Sequence, residues 1–442
     1  MSRVLLIGNN PPPFQQNTKV EAAHYRTWQF LQPLLDEGHE VCLCVDQSGY
    51  PPAAADLPKT LQWHSIPFEQ VGWAHRLQAT HDVFRPEAVV AVDFYSSLYT
   101  TKLRTSAPIW MDLYGDPLTI VQVARHRTET DQGIGTAIAL MDHVLRRGDV
   151  FSACGVPQQH MLVGELAMCG RLNSRTFGYD FVRVVYPGAP SFPATDHGAS
   201  DHRTRSSHGL DPESFVVLWC GGYNTWTDGA TLYRALEWAM DRDPRVHFIS
   251  VGASTYRAAE TIYDQFVMAV KQSRHATRFH LLGWLPWAEI PGVYRASDVG
   301  ISIDALHYET IYGTRTRLVE MMAYELPVIT SLGCELSYII RDKACGLSFP
   351  AGDWESLARA IVELAGDPAK LQAMRQAMRR MVSQDLSFKT TVTPLLAWLQ
   401  APRPAPDHSS PHLSTRAKAL EYRMRTAVRL FLWRFGLSGR RA

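Results

Sequence analysis

Apolar residues fall in short continuous runs along most of this chain, and each run leads through small or polar residues into a mixed, helix-like stretch. Such runs are typical of strands that are buried on both faces of a parallel sheet. The pattern starts at the N-terminus and restarts after residue 209, with runs in the segments 3–13, 34–46, 107–117, 215–240, 246–252, 279–284 and 296–304. We therefore predict an α/β fold with two Rossmann-like, doubly wound domains in tandem, residues 1–190 and 209–400.

Two segments interrupt this pattern. Residues 191–208 belong to a stretch rich in Pro, Gly, Ser and charged residues, which predicts a linker between the domains. Residues 401–411 are rich in Pro and predict a second linker, after which a tail, residues 412–442, follows.

The tail carries a charge that the rest of the chain balances. It holds eight basic residues against one acid, so its net charge is about +7 and that of residues 1–411 is about −6. Its apolar residues recur every three or four positions, at Leu413, Ala417, Leu420, Met424, Val428, Phe431 and Phe435. This spacing predicts a basic amphipathic helix on an anionic membrane surface, or one packed on the body or on a partner. Nucleic acid is not expected, because the globular part is acidic.

Composition places the chain among ordinary enzymes. It has 442 residues, 46% apolar and 20% charged, which is enough for two domains. No secretory signal and no run approaching the ~20 apolar residues of a membrane span is visible. The seven cysteines are scattered and contain no C-x-x-C motif, which predicts buried thiols in a cytoplasmic protein.

The segment 311–331, IYGTRTRLVEMMAYELPVITS, carries the strongest candidate chemistry. A turn with Arg315, Thr316 and Arg317 enters a short amphipathic helix, and a buried strand follows. Backbone N–H groups and arginines at a helix N-terminus form a site for a diphosphate. Glu320, one turn further along, can accept hydrogen bonds from a ribose diol. The order therefore predicts a grip for a nucleotide sugar.

Turn, helix, Glu320 and the "LPVIT" strand together resemble the nucleotide-binding half of GT-B glycosyltransferases, closest to family 4. The resemblance covers most of the chain and implies two Rossmann-like domains facing a central cleft. It also implies a nucleotide diphosphate-sugar donor, a hydroxyl acceptor, retention of configuration, and no metal or other cofactor. In this fold the last helix, here within residues 388–400, crosses back onto the first domain.

The chain departs from that family in two places. Tyr312 stands where the family has a first Glu, so Glu309 is the substitute that we expect to bind a sugar hydroxyl; the alternative is a solvated loop acid. Gly222 and Thr227 stand where the family has an Arg and a Lys that hold the diphosphate. Charge compensation for the leaving group must then come from elsewhere. The nearest cations are Arg315 and Arg317, of which we expect one to point into the cleft and the other to pair structurally.

Further binding residues are expected in the two glycine-containing loops and in nearby aromatic residues. Glycines permit close approach of a backbone to a ligand, and rings lining a cleft stack on sugars or bases. The candidates are Gly8 and Asn9 in the first domain, Gly221, Gly222 and Asn224 in the second, and the rings of Tyr223, Trp226, Trp284 and Trp287.

The strand in segment 107–117 delivers Asp112, Tyr114 and Asp116 at its carboxyl end, where open α/β sheets bind their ligands. Family members place a His or Asp there against the donor sugar or acceptor. By the simplest alignment the His position falls on Tyr114, so Asp112 or Asp116 is the expected catalytic residue. The alternative for Asp116 is a cap on the helix that begins near Pro117.

Other classes find little support. No H-E-x-x-H metal motif, no P-loop and no dinucleotide G-x-G-x-x-G motif is present. The resemblance, together with the basic tail, implies a glycosyltransferase for cell-surface polysaccharide or glycolipid synthesis, acting on a lipid-linked or saccharide acceptor at the inner face of the membrane. The alternative is a catalytically inactive nucleotide-sugar-binding subunit of a glycosylation complex. A GT-B epimerase or phosphorylase fits less well.

Overall fold

The architecture comes from a computed structural model, which describes residues 1–13, 20–46, 58–190, 205–206, 209–254, 259–408 and 424. Most of the predicted linker 191–208 and the predicted tail helix lie outside the described residues.

The first domain is built on a parallel sheet. Its described strands are β1 (Arg3–Gly8), β2 (Glu40–Val45), β3 (Leu61–Ser65), β4 (Ala88–Val92), β5 (Ile109–Leu113), β6 (Val150–Ala153) and β7 (Val182–Val184). They pair in the order β3-β2-β1-β4-β5-β6-β7. Its described helices are α1 (Ala22–Asp36), α2 (Trp73–Phe84), α3 (Phe94–Thr100), α4 (Pro117–Thr128), α5 (Ile134–Arg147) and α6 (Val156–Met168).

The second domain repeats this plan. Its described strands are β8 (Phe215–Cys220), β9 (Val246–Val251), β10 (Phe279–Gly283), β11 (Val299–Ser302), β12 (Val328–Leu332) and β13 (Gly346–Pro350), in the parallel order β10-β9-β8-β11-β12-β13. Its described helices are α7 (Gly229–Arg242), α8 (Glu260–Gln272), α9 (Ile290–Ala296), α10 (Tyr308–Tyr312), α11 (Thr316–Ala323), α12 (Glu335–Asp342), α13 (Trp354–Gly366) and α14 (Pro368–Met381). Short helical turns cover Ala276–Arg278, Trp287–Glu289 and Val382–Leu386, and a final helix, α15, covers Phe388–Leu399.

The predicted pair of Rossmann-like domains is confirmed. The central strands are continuous apolar runs that are almost completely buried, as in β1 and β8, because helices cover both faces of each sheet. All seven cysteines are buried and free. In each sheet the strand order reverses beside its first strand, β1 or β8, and the carboxyl ends of strands at such a point form a ligand crevice.

The chain crosses between the domains twice, and the two crossings touch. Ala189 forms a parallel bridge with Ser387, through hydrogen bonds from Ala189 N–H to the Leu386 carbonyl and from Phe388 N–H to the Ala189 carbonyl. Helix α15 then packs on α1 and on the first domain's core, where Trp398 lies 5.6 Å from Trp110 between ring centroids.

The Pro-rich segment that follows α15 is anchored to the first domain as far as residue 408. Asp407 forms a buried ion pair with Arg171 at 2.8 Å. Asp149 accepts hydrogen bonds from the Ala405 N–H and from His408. The globular body therefore extends to residue 408. Among the described residues, no helix is long and apolar enough to cross a membrane.

Candidate functional site

A cavity of ≈ 350 Å³ lies between the carboxyl ends of the two sheets. The first domain lines it with Val20, Glu21, Ala22, Ala23, Tyr25, Tyr114, Gly115 and Ile120, and the second with Cys220, Gly221, Gly222, Asn224, Trp226, Trp284, Glu309, Gly313, Thr314, Arg315, Thr316, Arg317 and Glu320. The second-domain candidates for nucleotide-sugar binding lie here, except for the rings of Tyr223 and Trp287.

Arg315 is the structural member of the arginine pair. Its guanidinium contacts Asp304 at 2.6 Å and grips both oxygens of Glu309, at 3.0 and 2.7 Å. Burial disfavours the charged guanidinium, but the two acids more than offset this and raise the pKa of Arg315. Asp304, just beyond the end of β11, thus fixes the turn that precedes α11.

Glu309 lines the cavity, but Arg315 occupies both of its oxygens. Burial raises the pKa of the Glu309 carboxyl, and Arg315 opposes that rise. Glu309 is therefore not the solvated loop acid of the alternative reading. In this conformation its carboxylate supports the turn, and its contact with a sugar remains a prediction.

Arg317 projects toward the loop after β8. One guanidinium nitrogen donates to the Gly222 carbonyl at 2.7 Å, and the guanidinium stacks over Trp219 at 3.9 Å from the ring centroid. Its other terminal nitrogen, Nη1, is buried without a hydrogen-bond partner among the described residues. Burial lowers the pKa of Arg317, which indicates a cation that an anion would stabilise.

This position of Arg317 coincides with the loop where the resemblance leads us to expect a cation. Gly221 has φ 119°, a backbone conformation that favours glycine, and a Cβ there would be in ordinary van der Waals contact with the Arg317 guanidinium, at 3.6 Å. Of the two arginines in the turn, Arg317 is the one that faces the cavity unopposed by a contacting carboxylate.

Glu320 lines the same cavity, one turn further along α11 than Arg317. Tyr25, from the first domain, donates a hydrogen bond to its Oε1 at 2.6 Å. Burial raises the pKa of Glu320 to about 7, and the bond from Tyr25 partly counteracts that rise. The carboxylate is therefore at the edge of protonation at neutral pH while no ligand occupies the cavity.

The aromatic candidates separate into two groups. Trp226 and Trp284 line the main cavity, and the buried Nε1 of Trp226 has no hydrogen-bond partner among the described residues. Trp287 lies beside Tyr25 in a smaller adjoining cavity. Tyr223 is fully buried in the core of the second domain, where it bonds to Ser250 at 2.9 Å, so its predicted place in the cleft is wrong.

Asp112 is buried beneath the cavity rather than in its lining. Its carboxylate accepts from Arg26 at 2.7 and 2.9 Å and from Ser152 at 2.6 Å, and its side chain is fully buried. These contacts make it a structural residue that holds α1 and β6 to β5. The expectation that Asp112 touches donor or acceptor is not supported in this conformation.

Asp116 caps α4, as the alternative reading expected. Its Oδ2 accepts from the Thr119 N–H at 2.6 Å, while its Oδ1 is buried without a partner among the described residues. Burial raises the pKa of Asp116. Gly115, its neighbour, lines the cavity, whereas Asp116 does not.

Gly8 and Asn9 also lie outside the described cavity lining. A Cβ on Gly8 would lie 2.7 Å from the Thr27 side chain. Gly8 therefore allows α1 to pack closely on the end of β1, which is a different reason for a glycine than the ligand approach that we predicted.

Two contributors were missed in the sequence. Tyr25 gives no local signal, because its partner Glu320 is distant in sequence. Asp304 could have been found, since it follows a predicted buried strand whose carboxyl end faces the cleft. Among the described residues, no group of three His, Cys, Asp or Glu side chains is arranged to hold a metal ion.

Comparison with known proteins shows which families and structures the chain is similar to. Residues 214–367, most of the second domain, match the model of the family Glycosyl transferases group 1. No curated protein sequence matches the chain. The resemblance to GT-B glycosyltransferases is confirmed by this match together with the fold, and the closer resemblance to family 4 stays a prediction.

Solved structures share that fold over nearly the whole chain. Sucrose-phosphate synthase from Thermosynechococcus elongatus matches with a TM-score of 0.66 at 16% identity, covering 90% of this chain and 98% of that one. HepE from Anabaena, in complex with UDP-glucose, matches with a TM-score of 0.66 at 16% identity, covering 91% and 100%. WaaG, a glycosyltransferase involved in lipopolysaccharide biosynthesis, matches with a TM-score of 0.61 at 12% identity, covering 90% and 100%.

Exchanging each arginine of the turn for alanine should have different consequences. Arg317→Ala should weaken UDP binding about 10- to 100-fold with little change in stability, because it removes a charge-assisted donor that has no carboxylate partner. Arg315→Ala should lower the free energy of unfolding by about 3 to 5 kcal/mol, because it leaves two buried carboxylates without their cation. Calorimetric titration with UDP and urea denaturation measure the two effects. Unchanged UDP affinity in Arg317→Ala would contradict the proposed phosphate contact.

Glu320→Gln should be more stable than the wild type but bind UDP more weakly. A folded-state pKa of about 7, above the ordinary 4.5, means that ionised Glu320 destabilises the unliganded fold. This cost develops as the pH rises from about 4.5 to 7 and is complete above it. The variant should therefore gain on the order of 2 to 3 kcal/mol at pH 8 and almost nothing at pH 4.5, while losing affinity for UDP. The exposed Glu355→Gln is the control, with little change at either pH. A gain that is equal at both pH values would exclude titration of Glu320 as its cause.

Proposed function

We propose that this protein transfers a sugar from a nucleotide diphosphate-sugar to a hydroxyl acceptor bound in the cleft. The observation that carries the proposal is a pair of buried N–H donors, Arg317 Nη1 and Trp226 Nε1, which line one cavity without a partner among the described residues. Buried donors without partners cost free energy that a ligand with several acceptor oxygens would return. A diphosphate supplies such oxygens, and its negative charge would stabilise the buried guanidinium of Arg317.

Each end of the donor has a matching group. The diphosphate would lie against Arg317 and the Gly221–Gly222 backbone, and the ribose diol would donate to Glu320. In the reaction the bond between the anomeric carbon and the phosphate oxygen breaks, and its electron pair leaves with the diphosphate. The acceptor oxygen bonds to the carbon and loses its proton to the leaving group or to solvent. Arg317 would stabilise the charge that develops on the departing phosphate.

UDP is the first nucleotide to examine. HepE is described with UDP-glucose and with UDP, and a trehalose-6-phosphate structure from E. coli with UDP-2-fluoro glucose. Retention of configuration and independence from metal are carried over from the resemblance to family 4.

A second candidate function is a nucleotide-sugar-binding subunit without catalysis. Two observations favour it. The family uses two cations, but of the two arginines that line the cavity Arg315 is already paired with Asp304 and Glu309. In addition, Arg315 occupies both oxygens of Glu309. Both functions predict donor binding, and only the first predicts breakage of the donor.

Binding and turnover of donors separate these functions. Purified full-length protein is heated with UDP-, GDP- and TDP-sugars, and the donor that raises the melting temperature is then assayed for hydrolysis and transfer. We expect UDP-sugars to stabilise the protein, by about 2.7 kcal/mol at 100 times the dissociation constant. We also expect slow release of UDP, which Arg317→Ala abolishes. Stabilisation without any release of UDP would favour the binding subunit, and no stabilisation by any donor would reject both functions.

We also propose that the tail, residues 412–442, binds the protein to an anionic inner membrane face, where a lipid-linked or saccharide acceptor for polysaccharide or glycolipid synthesis would be available. Its support is the net charge of about +7 on a spacing typical of an amphipathic helix. WaaG, which shares the fold, is described as involved in lipopolysaccharide biosynthesis.

Truncation after Pro411 should release the protein from anionic vesicles. The cut leaves Asp407 and its buried partner Arg171 in place, so the fold and transfer to a soluble acceptor should survive. Full-length protein should also dissociate as salt rises, because screening removes the electrostatic attraction. Equal sedimentation of both forms with anionic vesicles at low salt would reject the anchor.

A further inference from the structure

Tyr25 belongs to the first domain but contacts groups that the second domain supplies. It lies in the first turn of α1, and its hydroxyl donates to Glu320 Oε1 at 2.6 Å. Its ring packs edge-on against Trp287, with centroids 5.4 Å apart. The side chain of Tyr25 thus crosses the cleft and contacts both Glu320, the residue expected to bind the ribose, and Trp287.

The place of this contact in the cleft is informative. Tyr25 and Glu320 line the main cavity and also a smaller adjoining one, of ≈ 40 Å³, which contains Trp284 and Trp287. The hydrogen bond between Tyr25 and Glu320 therefore lies where the main cavity, which contains Arg317, meets the smaller cavity, which contains Trp284 and Trp287. A nucleoside bound to Glu320 would have to lie against it.

The carboxylate has room for all of its expected donors. Two carboxylate oxygens offer about four acceptor positions, so Glu320 can accept from both ribose hydroxyls and still keep the bond from Tyr25. Without that bond the buried carboxylate would take up a proton more readily, because burial opposes its charge. A protonated Glu320 would lose acceptor capacity for the diol.

Other groups of the second domain also face Glu320. Tyr324 and Cys220 are neutral near pH 7, because burial raises the pKa of each. Tyr294 is a second hydroxyl beside the carboxyl, and like Tyr25, though to a smaller extent, it opposes the rise in the pKa of Glu320. Arg317 is the remaining charged neighbour that acts on the Glu320 carboxyl. If Arg317 serves the diphosphate, the hydroxyl of Tyr25 is the first domain's own contribution to the ionised state of Glu320.

We propose that Tyr25 is a positioning residue of the nucleotide site, whose hydroxyl holds Glu320 oriented and ionised for the ribose diol, so that the site is complete only when the first domain is closed on the second. This inference rests on the proposed function, because it requires that a nucleotide binds at Glu320.

The test is calorimetric titration of full-length protein with UDP between pH 6 and 9, for the wild type and Tyr25→Phe. The phenylalanine keeps the ring against Trp287 and removes only the hydroxyl. We expect the wild-type affinity to fall below about pH 7 and the midpoint in Tyr25→Phe to rise by about one pH unit. The variant should then bind UDP about fivefold more weakly at pH 7 and recover most of that loss at pH 9. The titration of UDP itself, with a phosphate pKa near 6, is common to both proteins and cancels in the comparison.

Tyr114→Phe is the matched control. Tyr114 is also a cleft tyrosine of the first domain and also bonds across to the second, with its hydroxyl 2.6 Å from Thr316 Oγ1, but that partner does not titrate. Its removal can change the affinity but should leave the midpoint in place.

The outcomes are distinct. An unshifted midpoint in Tyr25→Phe, with the wild type binding UDP, overturns the inference about Tyr25 and leaves the proposed function standing. Tighter binding by Tyr25→Phe overturns it as well, because Tyr25 would then compete with the ribose. If the wild type binds no UDP at any pH, the proposed use of UDP fails, and the inference fails with it.

Discussion

The buried guanidinium of Arg26 is the interaction on which the arrangement of the cleft depends. It binds both oxygens of Asp112 at the end of β5, and it also donates to Gln29 and to the carbonyls of Val185 and Tyr186. One side chain thereby joins the sheet of the first domain, helix α1 and the connection to the second domain. Breaking such a pair by removing one partner leaves an uncompensated buried charge, which is strongly destabilising. Tyr25 precedes Arg26 in α1, so its position over the cleft depends on this pair.

A second buried charge cluster performs the corresponding task in the second domain. Asp304 and Glu309 both form ion pairs with Arg315. These pairs fix the turn before α11 and therefore the position from which the Arg317 side chain extends. Arg317 is thus available for a ligand because Arg315, two residues earlier, pairs with both Asp304 and Glu309. The loop after β8 contributes a backbone acceptor, since the Gly222 carbonyl accepts a hydrogen bond from Arg317.

Much of this organisation could be predicted from local sequence. The strands of both domains were visible because strands buried on both faces must be apolar throughout, and the segment 311–331 revealed its turn, its helix and Glu320 in order. The division of labour between Arg315 and Arg317 could be stated only as a choice, because Asp304 decides it from another strand. The structural contacts of Asp112 were not foreseen for a similar reason: the end of a strand predicts proximity to the cleft, but only the fold brings Arg26 to its carboxylate. Tyr25 lay beyond sequence reasoning altogether, since its contact exists only when two domains meet.

The bridge between Ala189 and Ser387 joins the two chain crossings through backbone hydrogen bonds. We expect this single connection to act as the hinge if the domains open and close. Gln29 ties α1 to this connection, through the Tyr186 carbonyl at 2.7 Å and Thr391 at 2.7 Å, and Trp28 packs edge-on against Phe388. Helix α1 is therefore attached to the crossings near its middle and carries Tyr25 near its N-terminus. We expect the hydrogen bond between Tyr25 and Glu320, 2.6 Å long here, to break when the domains open. Because Tyr25 contacts the ring of Trp287, the fluorescence of Trp287 should change with that opening.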